Sequence, residues 1–298
     1  MIMILAACGG GDDGGGPDDG DGPLAVDAGN DGIPTVPDGP PTGRPGSLRF
    51  FNSHTPGADR VEIRIDPQVP ADVGAGSFTI DLWFRLGPDI VLPETCQTGR
   101  DGWRSGHIVL DRDRNGDGLH GEFGLSLYRD GVAFGISQGA TGVGLCGTAA
   151  IRTGWHHVAV TRDATTRAVT LYLDGVTNGS ATGPLGDVSY QDGATGSATD
   201  PFLVIGVEKP NLPASNGFNG FVDELRISTV VRYTADFTPE TMAYATADAD
   251  TAALYHFDDG GGLLLGDERG LSPGDVKFGT DLTGNPVPLW VTGQPFLN

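Results

Sequence analysis

Apolar and polar residues alternate with a period of two in a series of short segments. The clearest runs from Thr153 to Gly183, TGWHHVAVTRDATTRAVTLYLDGVTNGSATG. Within it, Trp155–Arg162 and Ala168–Leu173 are rich in aromatic and β-branched residues, as half-buried strands require. Val169, Leu171 and Leu173 share one face of the second segment, and Thr170, Tyr172 and Asp174 the other. Asp174-Gly175 and Asp130-Gly131 tolerate the positive φ of a type I′ turn, so both mark hairpins. The same pattern predicts strands at Ser47–Asn52, Arg60–Asp66, Ser77–Leu86, Gly106–Arg112, Glu122–Tyr128 and Val132–Ser137. Further strands are predicted at Phe202–Val207, Phe221–Ser228, Ala252–Phe257 and Leu289–Thr292. About a dozen short strands predict two antiparallel sheets packed face to face. Pro239–Ala245 alone looks able to form a helical turn, and no apolar run is long enough to span a membrane.

Composition adds a division of the chain. Of 298 residues, 49 are glycine and 21 proline, and 39 acidic residues outweigh 18 basic ones to a net charge of −21. Residues 9–46 are a low-complexity tract in which eight aspartates lie among glycines and prolines before the first basic residue, Arg44. Such a tract cannot fill a core, so a disordered tether is expected, with a span of roughly 30–36 Å. A calcium-binding acidic repeat is the sharper alternative, but the tract has no strict period. The globular part is then residues 47–298. The acidity speaks for solubility and against a nucleic-acid partner, since phosphate binding needs clustered Lys and Arg.

Leu5-Ala6-Ala7-Cys8 resembles the lipobox of bacterial lipoproteins, in which the cysteine becomes a lipid-modified N-terminus. Residues 1–8 then read as a shortened signal, lacking the basic start and full apolar length of a complete one. Either translation begins upstream of Met1 or the match is accidental, and the Gly/Asp/Pro tract after Cys8 favours the first. By resemblance to sorted lipoproteins, Gly9 implies the outer membrane or cell surface of a bacterial envelope. In an exported chain the two remaining cysteines, Cys96 and Cys146, are expected to pair, with two buried free thiols as the alternative.

The segment WHHVAVTRD followed by VTLYLDG resembles the laminin-G-like, concanavalin A-like jelly-roll modules of bacterial surface proteins. Ser77–Phe84 (SFTIDLWF), Phe218–Ser228 (FNGFVDELRIS) and Ala253–Gly260 (ALYHFDDG) fit the same pattern in the same order. The resemblance implies an all-β, two-sheet antiparallel jelly-roll sandwich over 47–298. It does not imply one activity, because this fold hosts lectins, glycanases and adhesion modules. Glycanases of this fold carry Glu-x-Asp followed by Glu on one strand, and that pattern is missing. Asp223 and Glu224 are adjacent, so simple alternation points them to opposite faces. Parity puts Phe221, Asp223, Leu225 and Ile227 on one face, with Asp223 hydrogen-bonded at a core edge. Trp155 and His157 share a face that could offer a sugar platform. The family pattern reads them instead as framework, through packing or a buried hydrogen bond.

One loop carries ligand chemistry. Asp111–Glu122, DRDRNGDGLHGE, matches a calcium-loop pattern, with Asp111, Asp113, Asn115, Asp117 and Glu122 as candidate oxygen ligands and Gly116 at the sharp turn. Strand-like flanks make it a hairpin rather than a helix–loop–helix sensor. The alternative is a polar hairpin tip in which Arg112 and Arg114 balance the carboxylates. Together these features predict a lipid-anchored, non-catalytic module that binds a glycan or a protein surface, stabilised by calcium. A divergent glycoside hydrolase and an envelope protein without a ligand are the rivals. The binding rim is expected on the concave sheet or on loops 86–106, 137–154, 182–202 and 207–217.

Overall fold

The computed structural model describes residues 46–51, 59–113, 121–151, 153–190, 201–209, 216–240, 244, 246–280 and 285–292. Residues 9–45 of the expected tether, Cys8, Arg114, Asn115 and Asp117 lie outside these residues, as does most of Pro239–Ala245, while Gly46 opens the first strand. In chain order the strands are β1 Gly46–Phe51, β2 Arg60–Arg64, β3 Phe78–Leu86, β4 His107–Asp111, β5 Gly121–Tyr128 and β6 Gly131–Gln138. They continue as β7 Thr141–Cys146, β8 Trp155–Arg162, β9 Ala168–Leu173, β10 Val176–Thr182, β11 Phe202–Ile205 and β12 Asn216–Gly217. The last are β13 Asn219–Ser228, β14 Thr251–Tyr255, β15 Leu264–Leu265, β16 Gly274–Lys277, β17 Gly279–Thr280, β18 Pro286–Val287 and β19 Leu289–Thr292. Among the described residues no helix is long and apolar enough to cross a membrane.

Two large sheets result. The first has the order β10-β9-β8-β3-β13-β1-β19, with β14 also on β13. The second has the order β15-β16-β2-β11-β4-β5-β6-β7, with β12 beside β4. Pairing is antiparallel except between β12 and β4. The core lies between the sheets and follows from alternation. Phe78, Ile80, Leu82 and Phe84 of β3 are buried in it, against Phe123 and Leu125 of β5 and Val61 and Ile63 of β2. Each such side chain contributes about 1.5–3 kcal/mol. The intervening Thr79, Asp81, Trp83 and Arg85 are thereby directed to the outer face of the first sheet.

The structure corrects two expectations. The supposed loop 137–154 contains the edge strand β7. The parity assigned to β13 fails because its register with β3 shifts between Asp223 and Arg226, where Glu224 takes φ 48°. A bulge adds a residue and reverses which face follows it. Val222, Leu225 and Ile227 therefore enter the core, while Phe221 stands on the outer face with Arg85 and Trp155.

Loop 86–106 folds back over the outer face of the second sheet rather than standing clear as a rim. Cys96 and Cys146 form the expected disulfide, with Cα atoms 5.8 Å apart. It ties this loop to β7. Trp103, in a single 3-10 turn Gly102–Ser105, lies against the facing pair Gly124 and Gly135. A Cβ at either glycine would come within 2.0 Å of its indole. Only glycine lets the ring lie flat there.

Candidate functional site

The outer face of the first sheet divides in two. At one end, Asp81 and His157 are covered by the segment that follows β13. Tyr244 donates its hydroxyl to Asp81, and Arg226 lies 3.2 Å from the same carboxylate. His157 Nε2 is 3.0 Å from the Tyr244 hydroxyl, and the His157 ring packs edge-on against Trp83 and Phe237. Burial alone would raise the Asp81 carboxyl, but His157, Arg226 and Tyr244 outweigh it and hold it below its ordinary value. His157 is thus framework, as the family pattern implied.

The other end is open. Register sets Arg49, Phe221, Arg85 and Trp155 side by side on β1, β13, β3 and β8. They form one transverse row of alternating cation and ring. The Arg85 guanidinium carbon lies 4.0 Å from the centre of the Phe221 ring and 5.4 Å from that of Trp155. The Arg49 guanidinium carbon lies 4.9 Å from the Phe221 centre and 4.2 Å from that of Phe51, which is two residues on along β1. Phe51, Arg85, Trp155 and Phe221 are all half-buried, so part of each is accessible. Trp155 packs against Phe221 and Arg85 but, unlike His157, is not covered. Aromatic surface of this kind stacks on the apolar face of a sugar, and guanidinium groups donate hydrogen bonds.

A second cluster lies at the β4–β5 hairpin. Asp111 accepts from the backbone N–H of Asp113 at 2.5 Å and of Lys209 at 2.8 Å. Arg104 Nη2 donates to Asp113 at 2.5 Å and to Glu122 at 3.4 Å, and Ser137 donates to Glu122 at 2.9 Å. Burial, and then the charge of Asp113, push both the Asp111 and the Glu122 carboxyls up to about 7. Asp113 thus lies within electrostatic reach of both Asp111 and Glu122. Arg112 does not balance them, since its buried guanidinium turns away to Asp72 at 2.8 Å. Among the described residues Arg104, on the 3-10 turn, meets Asp113 and Glu122, and the charge of Lys209 acts on Asp111. Among the described residues no group of three His, Cys, Asp or Glu side chains is arranged to hold a metal ion.

The adjacent pair Asp223 and Glu224 sits where β1 and β14 meet along β13. Asp223 accepts from the Glu224 N–H at 2.9 Å, the core-edge partner that was expected. Burial first, then Glu224 and Asp258, push its carboxyl up to about 10. Glu224 accepts from the Tyr244 N–H at 3.2 Å and lies 3.1 Å from His256 Nδ1. Both carboxyls are only 1% exposed, which closes them to a substrate.

Comparison with solved structures gives low sequence identities. A Bacteroides ovatus protein provisionally described as carbohydrate-binding is 14% identical, with a TM-score of 0.49 over 83% of this chain and 60% of that one. This chain therefore spans less than two thirds of that structure. A heptameric SAP-like pentraxin from Limulus polyphemus is 13% identical, with a TM-score of 0.42 over 64% of this chain and 79% of its own. The CBM40 of a Ruminococcus gnavus IT-sialidase is 11% identical, with a TM-score of 0.41 over 61% of this chain and 92% of its own. No curated protein matches. The model of one family matches residues 58–238, more than half of the chain and most of both sheets. On that match, the chain belongs to the concanavalin A-like lectin/glucanase superfamily.

Proposed function

We propose that the protein is a non-catalytic module that holds a glycan on the open end of the first sheet's outer face. The observation that carries this reading is the row of half-buried rings, Trp155 and Phe221 with Phe51 beside them, set by strand register rather than by loops. Rings fixed on strands are preorganised and lose little entropy on binding. Lipidation of Cys8 displays the module on the bacterial surface, with residues 9–46 as spacer. A Cys8→Ser variant behind a complete export signal is expected to leave the membrane fraction. Retention there as firm as the parent's would remove the anchor.

Affinity electrophoresis against a polysaccharide panel tests the binding. At least one polymer should retard the protein without releasing reducing ends, and Trp155→Ala should weaken that retardation about tenfold or more. A blank panel would favour an envelope protein without a ligand. Reducing-end release would favour a hydrolase with a divergent site.

Calcium stabilisation of the β4–β5 hairpin is a further part of the proposal, supported by its crowded carboxylates. Because Asp111 and Glu122 are raised to about 7, the native state holds their protons more tightly than the unfolded chain. Their contribution to stability is complete below about pH 4 and falls as pH rises towards 7. A bound cation would offset that loss. Calcium in excess should therefore raise the melting temperature at pH 7.5 but much less at pH 5, and Asp111→Ala with Asp113→Ala should remove the increment. Equal melting curves in calcium and in chelator at pH 7.5 would remove calcium from the proposal.

A further inference from the structure

The open row is cationic as well as aromatic. Arg60, Arg104, Arg112, Arg226 and Arg232 each meet a carboxylate. Arg85 meets none among the described residues. Its guanidinium lies against the Phe221 and Trp155 rings instead. Arg49, on the far side of Phe221, is fixed by donation to Asn219 Oδ1 at 2.7 Å and to the Gly220 carbonyl at 3.3 Å. Gly87 leaves the room for that clamp, since a Cβ there would lie 2.0 Å from Asn219 Oδ1 and 2.7 Å from Arg49 Nη2. Asp59 and Asp89 lie within electrostatic reach of Arg49, whereas Arg85 forms no ion pair among the described residues.

Two guanidinium groups against one ring repel each other, and a neutral sugar gains little from them beyond ordinary hydrogen bonds. A carboxylate gains a planar fork that matches both of its oxygens, made stronger by the charge. We propose that this face selects a glycan with carboxylates on its sugar rings, a uronate-type polymer. Trp155 and Phe221 then stack on the sugar while Arg85 takes the carboxylate. This rests on the glycan reading above and narrows it to one class of ligand. The net charge of −21 opposes a polyanion at long range, but at physiological salt the screening length is about 8 Å, so the local cations decide.

The test uses one polymer in two forms, polygalacturonate and the same polymer with its carboxyls reduced to alcohols, at about 0.15 M salt. The unmutated protein should bind the acidic form about tenfold more tightly than the reduced form. Arg85→Gln should bring that ratio close to one. Arg85→Lys, which keeps the charge without the fork, should fall between. Melting curves of each variant establish that it is folded. Equal binding of both forms by the unmutated protein, or a ratio unmoved by Arg85→Gln, overturns the acidic ligand and leaves glycan binding standing. A sulfated polymer bound more tightly than polygalacturonate also overturns it. Failure of these polymers and of every neutral one in the panel removes the glycan reading itself.

Discussion

Replacing Arg112 with alanine is expected to cost about 3–5 kcal/mol of stability, the cost of breaking a buried ion pair from one side. The guanidinium is fully buried. It donates to Asp72 at 2.8 Å and to the carbonyls of Val73 and Val188, and lies over the Phe123 ring with its carbon 3.9 Å from the centre. It therefore ties the segment after β2 to the segment after β10 and to the core face of β5. Asp72 is equally buried and also accepts the Tyr190 N–H at 2.9 Å. Alanine would take the guanidinium away from a buried carboxylate, and the cost of leaving that charge in the interior exceeds the lost attraction itself. Urea unfolding measures the effect. Removing both charges, with Arg112→Met and Asp72→Asn, should recover part of the loss, because the buried pair is then removed from both sides. A loss below about 1 kcal/mol for the alanine variant would mean that water or another group reaches Asp72.

Loss of the disulfide should come next in size. Cys96 and Cys146 are 50 residues apart, and closing a loop of that length restricts the unfolded chain by about 4 kcal/mol in the chain-entropy model. Native relaxation reduces such figures, so the double alanine variant is expected to lose about 2–4 kcal/mol in urea unfolding. The loss should be felt locally as well. Loop 86–106 is held to the second sheet by this bond, by Trp103 on its glycine pair and by the Tyr128 hydroxyl, which donates to the Gly102 carbonyl at 2.6 Å. Amide exchange should therefore quicken around Trp103 before it does in β3 or β8. A variant as stable as the parent would show that the loop is held by packing alone.

The elements legible in the sequence are those whose alternation is driven by the core. The β3, β8 and β9 segments carry strict period-two patterns, and each forms as expected. Strand β7 escapes such a reading because TGVGLC has two glycines and, as a sheet edge, mostly exposed or half-exposed side chains, so burial leaves no pattern there. The bulge at Glu224 is invisible for a different reason. It is set by β1 and β14 sharing one edge of β13, a long-range arrangement that no local signal encodes. The same holds for the candidate site. Arg49, Arg85, Trp155 and Phe221 lie far apart in sequence and become neighbours only through the order β8-β3-β13-β1. Parity joins Trp155 to His157 on one face. Only the covering segment with Tyr233, Phe237 and Tyr244 separates a buried His157 from an accessible Trp155. In the acidic hairpin the carboxylates are legible by spacing. Their counter-charge is not, because Arg104 reaches them from the 3-10 turn while the nearer Arg112 is drawn into the interior.

The indole N–H groups of three of the chain's four tryptophans report on different places. Trp155 stands in the open row, Trp103 is buried on the outer face of the second sheet, and Trp290 donates its indole N–H to the Gly262 carbonyl at 3.2 Å. Nitrogen–proton correlation spectra recorded while a retained oligosaccharide is added therefore test the central claim directly. The expected result is a saturable shift of the Trp155 indole signal, with those of Trp103 and Trp290 unmoved. Saturation that leaves Trp155 in place while shifting Trp103 or Trp290 would contradict it and move the site off the first sheet.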